Sequence, residues 1–127
     1  MTGEGPLEAD DAVIALGPWA ALATRRLGYS LSLGVKRGYH MHYAAKGNAV
    51  LNNWMLDAER GYLLAPMRRG IRLTTGAEFT TLDAPKTPVQ LDRAEVVARA
   101  IFPLGDRLDP EPWMGARPCT PDMADVQ

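Results

Sequence analysis

Cysteine is nearly missing: Cys119 is the only one in 127 residues. That excludes an internal disulfide framework and a cysteine-rich metal site. No sign of charge dominates either, since 14 Lys and Arg meet 15 Asp and Glu for a net charge of −1. Nothing therefore recommends nucleic acid or an anionic membrane as a partner. No apolar run approaches the roughly 20 residues of a membrane span. The start, MTGEGPLEADD, carries no basic-then-apolar leader, so a cytoplasmic location is expected. A dinucleotide fingerprint is also missing, because Gly3-Glu4-Gly5 follows no strand and has no third glycine after it. What is present is 46% hydrophobic residues at the length of one domain, with ten prolines and twelve glycines that favour turns over a helical bundle.

The best-patterned stretch is 59–79, ERGYLLAPMRRGIRLTTGAEF, which reads as one β-hairpin. Its first arm, residues 62–67, is apolar apart from Tyr62. Its second, residues 71–79, alternates: Ile71, Leu73, Thr75, Ala77 and Phe79 on one face, Arg72, Thr74, Gly76 and Glu78 on the other. Period-2 alternation with one apolar face marks a strand buried on a single side. Arg68-Arg69-Gly70 suits a three-residue loop, with Gly70 supplying a positive φ. Pro66 should sit at a strand end or an edge, because it cannot donate to a ladder. A lone polar Tyr62 heading a buried arm marks a candidate pocket wall.

Before the hairpin, residues 11–16 form a short apolar run of strand length, broken by Gly17-Pro18. Trp19, Leu22, Ala23 and Leu27 then recur at helical spacing, Arg25 and Arg26 suit the last turn, and Gly28 stops it. A strand that ends in glycine and opens a helix lets backbone amides approach a phosphate or ribose, although on this fragment alone a glycine chosen for the turn is the favoured reading. Residues 29–43 follow as an extended segment. Val35, Arg37, Tyr39, Met41 and Tyr43 share one face, and Lys36, Gly38, His40 and His42 the other. Two imidazoles at i, i+2 can chelate a metal, but no acid or thiol lies nearby in sequence, so a partly solvated sheet face is expected and no metal. Residues 54–58 suit a short strand. After a proline-broken loop, Asp92 and Glu95 have the spacing of a capping box, with Leu91 and Val96 as staple and Val97, Ala100, Ile101 and Leu104 as the apolar stripe. Pro103 and Gly105 end this helix. Residues 111–117 suit a last strand. Arg117, held between Ala116 and Pro118 with Trp113 four residues back, is placed to clamp a carboxylate bidentately or to lay its stem on the indole.

Four segments together resemble the FAD-dependent oxidoreductases of the D-amino-acid oxidase/dehydrogenase superfamily, particularly its bacterial D-amino-acid dehydrogenase-like members. AVIALGPWA (12–20) is similar to the family's strand-glycine-Trp segment near the nucleotide-binding domain. GVKRGYHMHY (34–43) resembles the strand that opens the substrate domain, with the family's Arg-Gly pair at Arg37-Gly38. GYLLAP with GIRLTTGAEF resembles the substrate-domain hairpin. WMGARPCTPD (113–122) is similar to the late motif whose arginine binds the substrate carboxylate.

The resemblance implies oxidation of amino acids, D-amino acids in particular, by hydride transfer to FAD. It implies Arg117 on the α-carboxylate, Tyr62 donating to that carboxylate or lining the pocket, and Gly17 near the nucleotide portion of FAD. It implies no metal. The family's G-x-G-x-x-G turn and its glycine-rich C-terminal segment have no counterpart here, so the chain is expected to be the middle, substrate-binding portion of an enzyme and inactive in isolation. A full-length dehydrogenase of this kind could also be membrane-peripheral. The expected fold is α+β: a mainly antiparallel sheet of roughly five strands with the 92–102 helix on one face. Residues 1–28 would be a strand-helix remnant of the FAD-binding domain, 29–122 the substrate domain, and 123–127 a tail. Two alternatives stand beside the enzyme: a carboxylate- or amino-acid-binding module without redox chemistry, and a remnant that self-associates through its exposed flavin-facing surface.

Overall fold

The computed structural model describes Gly3 and residues 5–121. Its centre is β1 (Gly34–Ala45), twelve residues that alternate strictly between buried and half-buried from Arg37 to Tyr43. The chain then adds β2 (Met55–Asp57), β3 (Tyr62–Met67), β4 (Gly70–Thr75) and β5 (Glu78–Phe79). Helix α2 (Val89–Ile101) follows, then β6 (Leu104–Arg107) and β7 (Trp113–Cys119). All seven strands form one antiparallel sheet ordered β2-β3-β4-β1-β5, with β6 and β7 also bonded to β1. The expected α+β class stands: a mainly antiparallel sheet with a helix on one face. Asp122, the end of the late motif, and the proposed tail 123–127 lie outside the described residues.

One sheet face carries the core. Tyr39, Met41 and Tyr43 of β1 join Tyr62 and Leu64 of β3, Ile71 and Leu73 of β4, and Leu104 of β6 beneath Leu91, Ala94 and Ala98 of α2. Small residues at two of the three helix positions let the helix axis approach the sheet closely. The stripe expected from sequence was rotated: Ala100 and Ile101 are exposed, and Leu104 belongs to a strand. The helix starts a turn earlier than the capping box implies, at Val89 behind Pro88, so Asp92 and Glu95 lie inside it. Neither caps. Glu95 instead accepts from Tyr43 Oη at 2.8 Å and from Arg99 and Arg107, while Asp92 pairs with Arg107 at 2.9 Å. These bonds staple α2 to β1 and β6.

Three further expectations fail for physical reasons. Residues 11–16 form no strand; they run exposed, because no described strand lies beside them to complete a ladder. Only the helical half of that unit forms, as a 3₁₀ turn (Gly17–Trp19) running into α1 (Ala20–Arg26). The hairpin turn has two residues, not three, since Met67 pairs with Gly70. Lastly, residues 71–79 are not one strand. His40 pairs with Thr74 and Arg37 with Glu78, so four steps along the hairpin arm match three along β1. The extra residue is a bulge at Gly76-Ala77, and an odd insertion turns every later side chain to the other face. Glu78 therefore reaches the core side, and Phe79 is exposed.

Candidate functional site

The other face of the sheet carries the polar residues. Its centre is the Lys36, Gly38, His40 and His42 side of β1. On one flank β7 sets Arg117 opposite Lys36, Gly115 opposite Gly38, and Trp113 opposite His40. On the other, β4 sets Thr74 opposite His40 and Arg72 opposite His42. Directly paired residues of antiparallel strands project to the same side. Lys36, His40, Arg72, Thr74, Trp113 and Arg117 accordingly line one cleft of about 730 Å³. No Asp or Glu is among the residues that line it.

The electrostatics are one-sided. Among the described residues, no carboxylate pairs with Lys36, Arg72 or Arg117. Lys36 Nζ lies 5.2 Å from the centre of the Phe79 ring, a weak cation–π contact at an open site. Arg72 Nε and Thr74 Oγ1 are buried without a hydrogen-bond partner. The His40 ring stacks on Trp113, with centroids 4.6 Å apart and 23° between planes. Burial, and then the neighbouring His42 and Arg72, push the His40 pKa below its ordinary value against the pull of Asp109. His40 is thus neutral near pH 7. Beyond the cleft, Asp109 holds His42 Nδ1 at 3.3 Å and Arg69 at 2.7 Å. The two imidazoles meet edge-on at 5.2 Å, and no cluster of potential metal ligands occurs among the described residues.

Tyr62 is not in this cleft. It pairs with Thr75 while Leu64 pairs with Leu73, which sets it on the core face at 1% exposure. Tyr62 and Arg117 thus lie on opposite sides of the sheet, and the shared pocket wall expected of them does not exist. The turn explains this: a three-residue loop would have moved the pairing by one and turned Tyr62 outward, whereas the two-residue turn turns it in. Its hydroxyl is buried facing the Asp57 carboxylate, and burial, followed by that carboxylate, raises its pKa. Gly17, the other expected contact, is exposed with φ +54, and a Cβ added there would meet nothing within 4 Å.

Sequence reasoning missed Arg37 as a structural anchor. It is 1% exposed on the core face, where its Nε and Nη2 donate to Glu78 Oε2 at 3.1 and 2.9 Å. Its other donors reach the carbonyls of Ala84 and Pro85, and Tyr39 Oη donates to the same Glu78 oxygen at 2.9 Å. A hydrogen bond from Thr87, then those from Tyr39 and Arg37, hold the Glu78 carboxyl below its ordinary pKa despite partial burial. An arginine on the same alternation as Tyr39, Met41 and Tyr43 was the available signal. Charges on a buried face require partners.

Comparison with known proteins follows the same outline. Residues 2–126 match the family described as FAD dependent oxidoreductase. D-amino acid dehydrogenase 2 of Mesorhizobium japonicum is 32% identical over 133 residues, covering 99% of this chain and 31% of that protein. The D-amino acid dehydrogenase of Paramagnetospirillum magneticum is 30% identical over 123 residues, with coverages of 95% and 29%. The solved glycine oxidase of Geobacillus kaustophilus superposes with a TM-score of 0.74 at 25% identity, over 96% of this chain and 33% of that one. The chain spans about a third of the length of these proteins.

Proposed function

Because the chain belongs to the FAD dependent oxidoreductase family, we propose that it is the substrate-binding part of a flavoenzyme that oxidises amino acids, with D-amino acids as the class. The observation that carries this reading is the acid-free cleft with Arg117 at its edge. Arg117 sits on a strand pinned to β1 over seven consecutive pairs, and Pro118 fixes φ just after it. The strand fixes where Arg117 stands at the cleft, and its exposed guanidinium presents a planar fork suited to a carboxylate. FAD, when bound, would accept the Cα hydrogen as a hydride, which carries both electrons.

The described residues fit that cofactor in part. Gly38 offers no side chain at the cleft floor, leaving flat ground beside the substrate. Gly17, open and left-handed, suits a close backbone approach to the nucleotide portion. The unpaired run before it makes no strand-to-helix cradle for a pyrophosphate. The 127-residue chain by itself is therefore expected to bind D-alanine weakly and to catalyse nothing. Calorimetry with D-alanine tests the clamp: Arg117→Gln should weaken binding by about tenfold or more, and unchanged affinity would remove Arg117 from the site. A chain that turned yellow with FAD and reduced a dye with D-alanine would overturn the expected inactivity.

A second reading concerns surface. Leu7, Val13, Ile14, Leu16, Trp19, Leu22 and Leu27 are all exposed in one N-terminal segment. Such a patch favours burial against further polypeptide, including a second copy of this chain. Light scattering across a concentration series would show the mass rising, and a constant monomer mass would dismiss self-association. Among the described residues, no helix is long and apolar enough to cross a membrane.

A further inference from the structure

One α-carboxylate needs one arginine, yet the cleft holds three unpaired cations. Lys36 and Arg117 stand side by side at one end. Arg72 stands at the other, beside Thr74 and the neutral His40. Its Nε is enclosed in the cleft wall, and among the described residues no carboxylate pairs with its guanidinium. Asp109, beyond this end, is engaged by Arg69 and His42. A guanidinium left without a counter-ion beside a cleft is matched by an anionic ligand.

Building on the reading of Arg117 as the α-carboxylate clamp, we propose that the cleft selects amino acids with a second carboxylate on the side chain, received by Arg72. Arg117 stands opposite Lys36 on one flank of β1, and Arg72 opposite His42 on the other. Those levels lie six residues apart on β1, roughly 20 Å at about 3.3 Å per residue, and both long side chains reach into the one cleft between them. Their charges can therefore meet the two ends of one amino dicarboxylate such as glutamate, which a ligand with a single carboxylate cannot do. His40, neutral and stacked on Trp113, adds a donor or acceptor at the Arg72 end without adding charge. Lys36 supplies a further positive charge beside the clamp.

The test compares D-glutamate with its uncharged isostere D-glutamine, using calorimetry on the 127-residue chain at low salt. D-glutamate should bind about tenfold or more tightly, the worth of a charge-assisted pair. Arg72→Gln should collapse that preference with the fold intact by circular dichroism, and Arg72→Lys, which keeps the charge, should retain most of it. Equal affinities for the two ligands would overturn the second subsite and leave the clamp standing. Failure of both ligands, and of D-alanine, to bind would overturn the clamp and the subsite together. A preference for D-glutamate that survived Arg72→Gln would also sink the assignment, since the selecting charge would then lie elsewhere.

Discussion

Glu78→Gln isolates the buried Arg37 pair. The substitution keeps the shape of the side chain and removes its charge. Arg37, 1% exposed, would lose the one carboxylate it meets among the described residues and keep the carbonyls of Ala84 and Pro85. Breaking a fully buried ion pair by removing one partner costs about 3–5 kcal/mol. Here the Glu78 side chain is 23% exposed, and glutamine still accepts a hydrogen bond from Tyr39 Oη. Solvent and the surviving bonds reduce the expected loss to about 2 kcal/mol. For a domain of this length that lowers Tm by roughly 6–10 °C. Guanidinium melts at pH 7 would read it directly, and Arg37→Met with Glu78→Gln should cost less than the separate effects summed, because no lone buried charge remains. The acid side gives an independent check. The Glu78 pKa is lower folded than unfolded, so its contribution is fully present above the ordinary carboxylate range and fades as pH falls through the folded value. The gap between wild type and Glu78→Gln should accordingly narrow on acidification. A Glu78→Gln loss below about 0.5 kcal/mol, within the range of ordinary surface changes, would mean that Arg37 does not depend on this carboxylate.

Two other changes probe the sheet. Tyr62→Phe removes a buried hydroxyl that faces only the Asp57 carboxylate at the edge of the core, so stability should fall by no more than about 1.5 kcal/mol and D-alanine affinity by less than about twofold; a large loss of binding would return Tyr62 to the cleft. Gly70→Ala drives a Cβ against the Tyr43 carbonyl oxygen at φ +136, and should cost about 2 kcal/mol or more in a chemical melt. A neutral result would show that β4 slides easily against β1.

The sequence made local pattern visible and hid what depends on counting between strands. The hairpin was legible because Ile71, Leu73 and the glycine at the turn obey a period of two. Whether Tyr62 faced Arg117 depended on one residue more or less at the turn, and composition does not decide that. The same single-residue arithmetic at Gly76-Ala77 moved Glu78 to the core side and hid the partner of Arg37. The C-terminal helix was legible as a helix but not in its frame, because Asp92 and Glu95 mimic a capping box while serving Tyr43, Arg99 and Arg107. Arg117 stood out through its small and stiff neighbours. Arg72 and Thr74 read as the wet side of a hairpin, and only the pairing of β4 with β1 brings them to the same cleft. The run at 11–16 had the composition of a strand, but strandedness belongs to a pair, and no described segment pairs with it.

The central strand also sets a timetable for the cleft. Its residues come from the beginning, middle and end of the chain, and β7 joins β1 only by closing the longest loop in the sheet, from His40–Trp113 to Gly34–Cys119. Loop closure is an entropic cost met before the contacts that reward it. The hairpin and its seam with β1 can form early, leaving β7, an edge strand with Pro118 inside it, to dock late and fray first. Arg117 would then come and go with that edge. Its amides should exchange with deuterium fastest of the long strands, and a carboxylate in the cleft should slow them by fastening the last strand to the first.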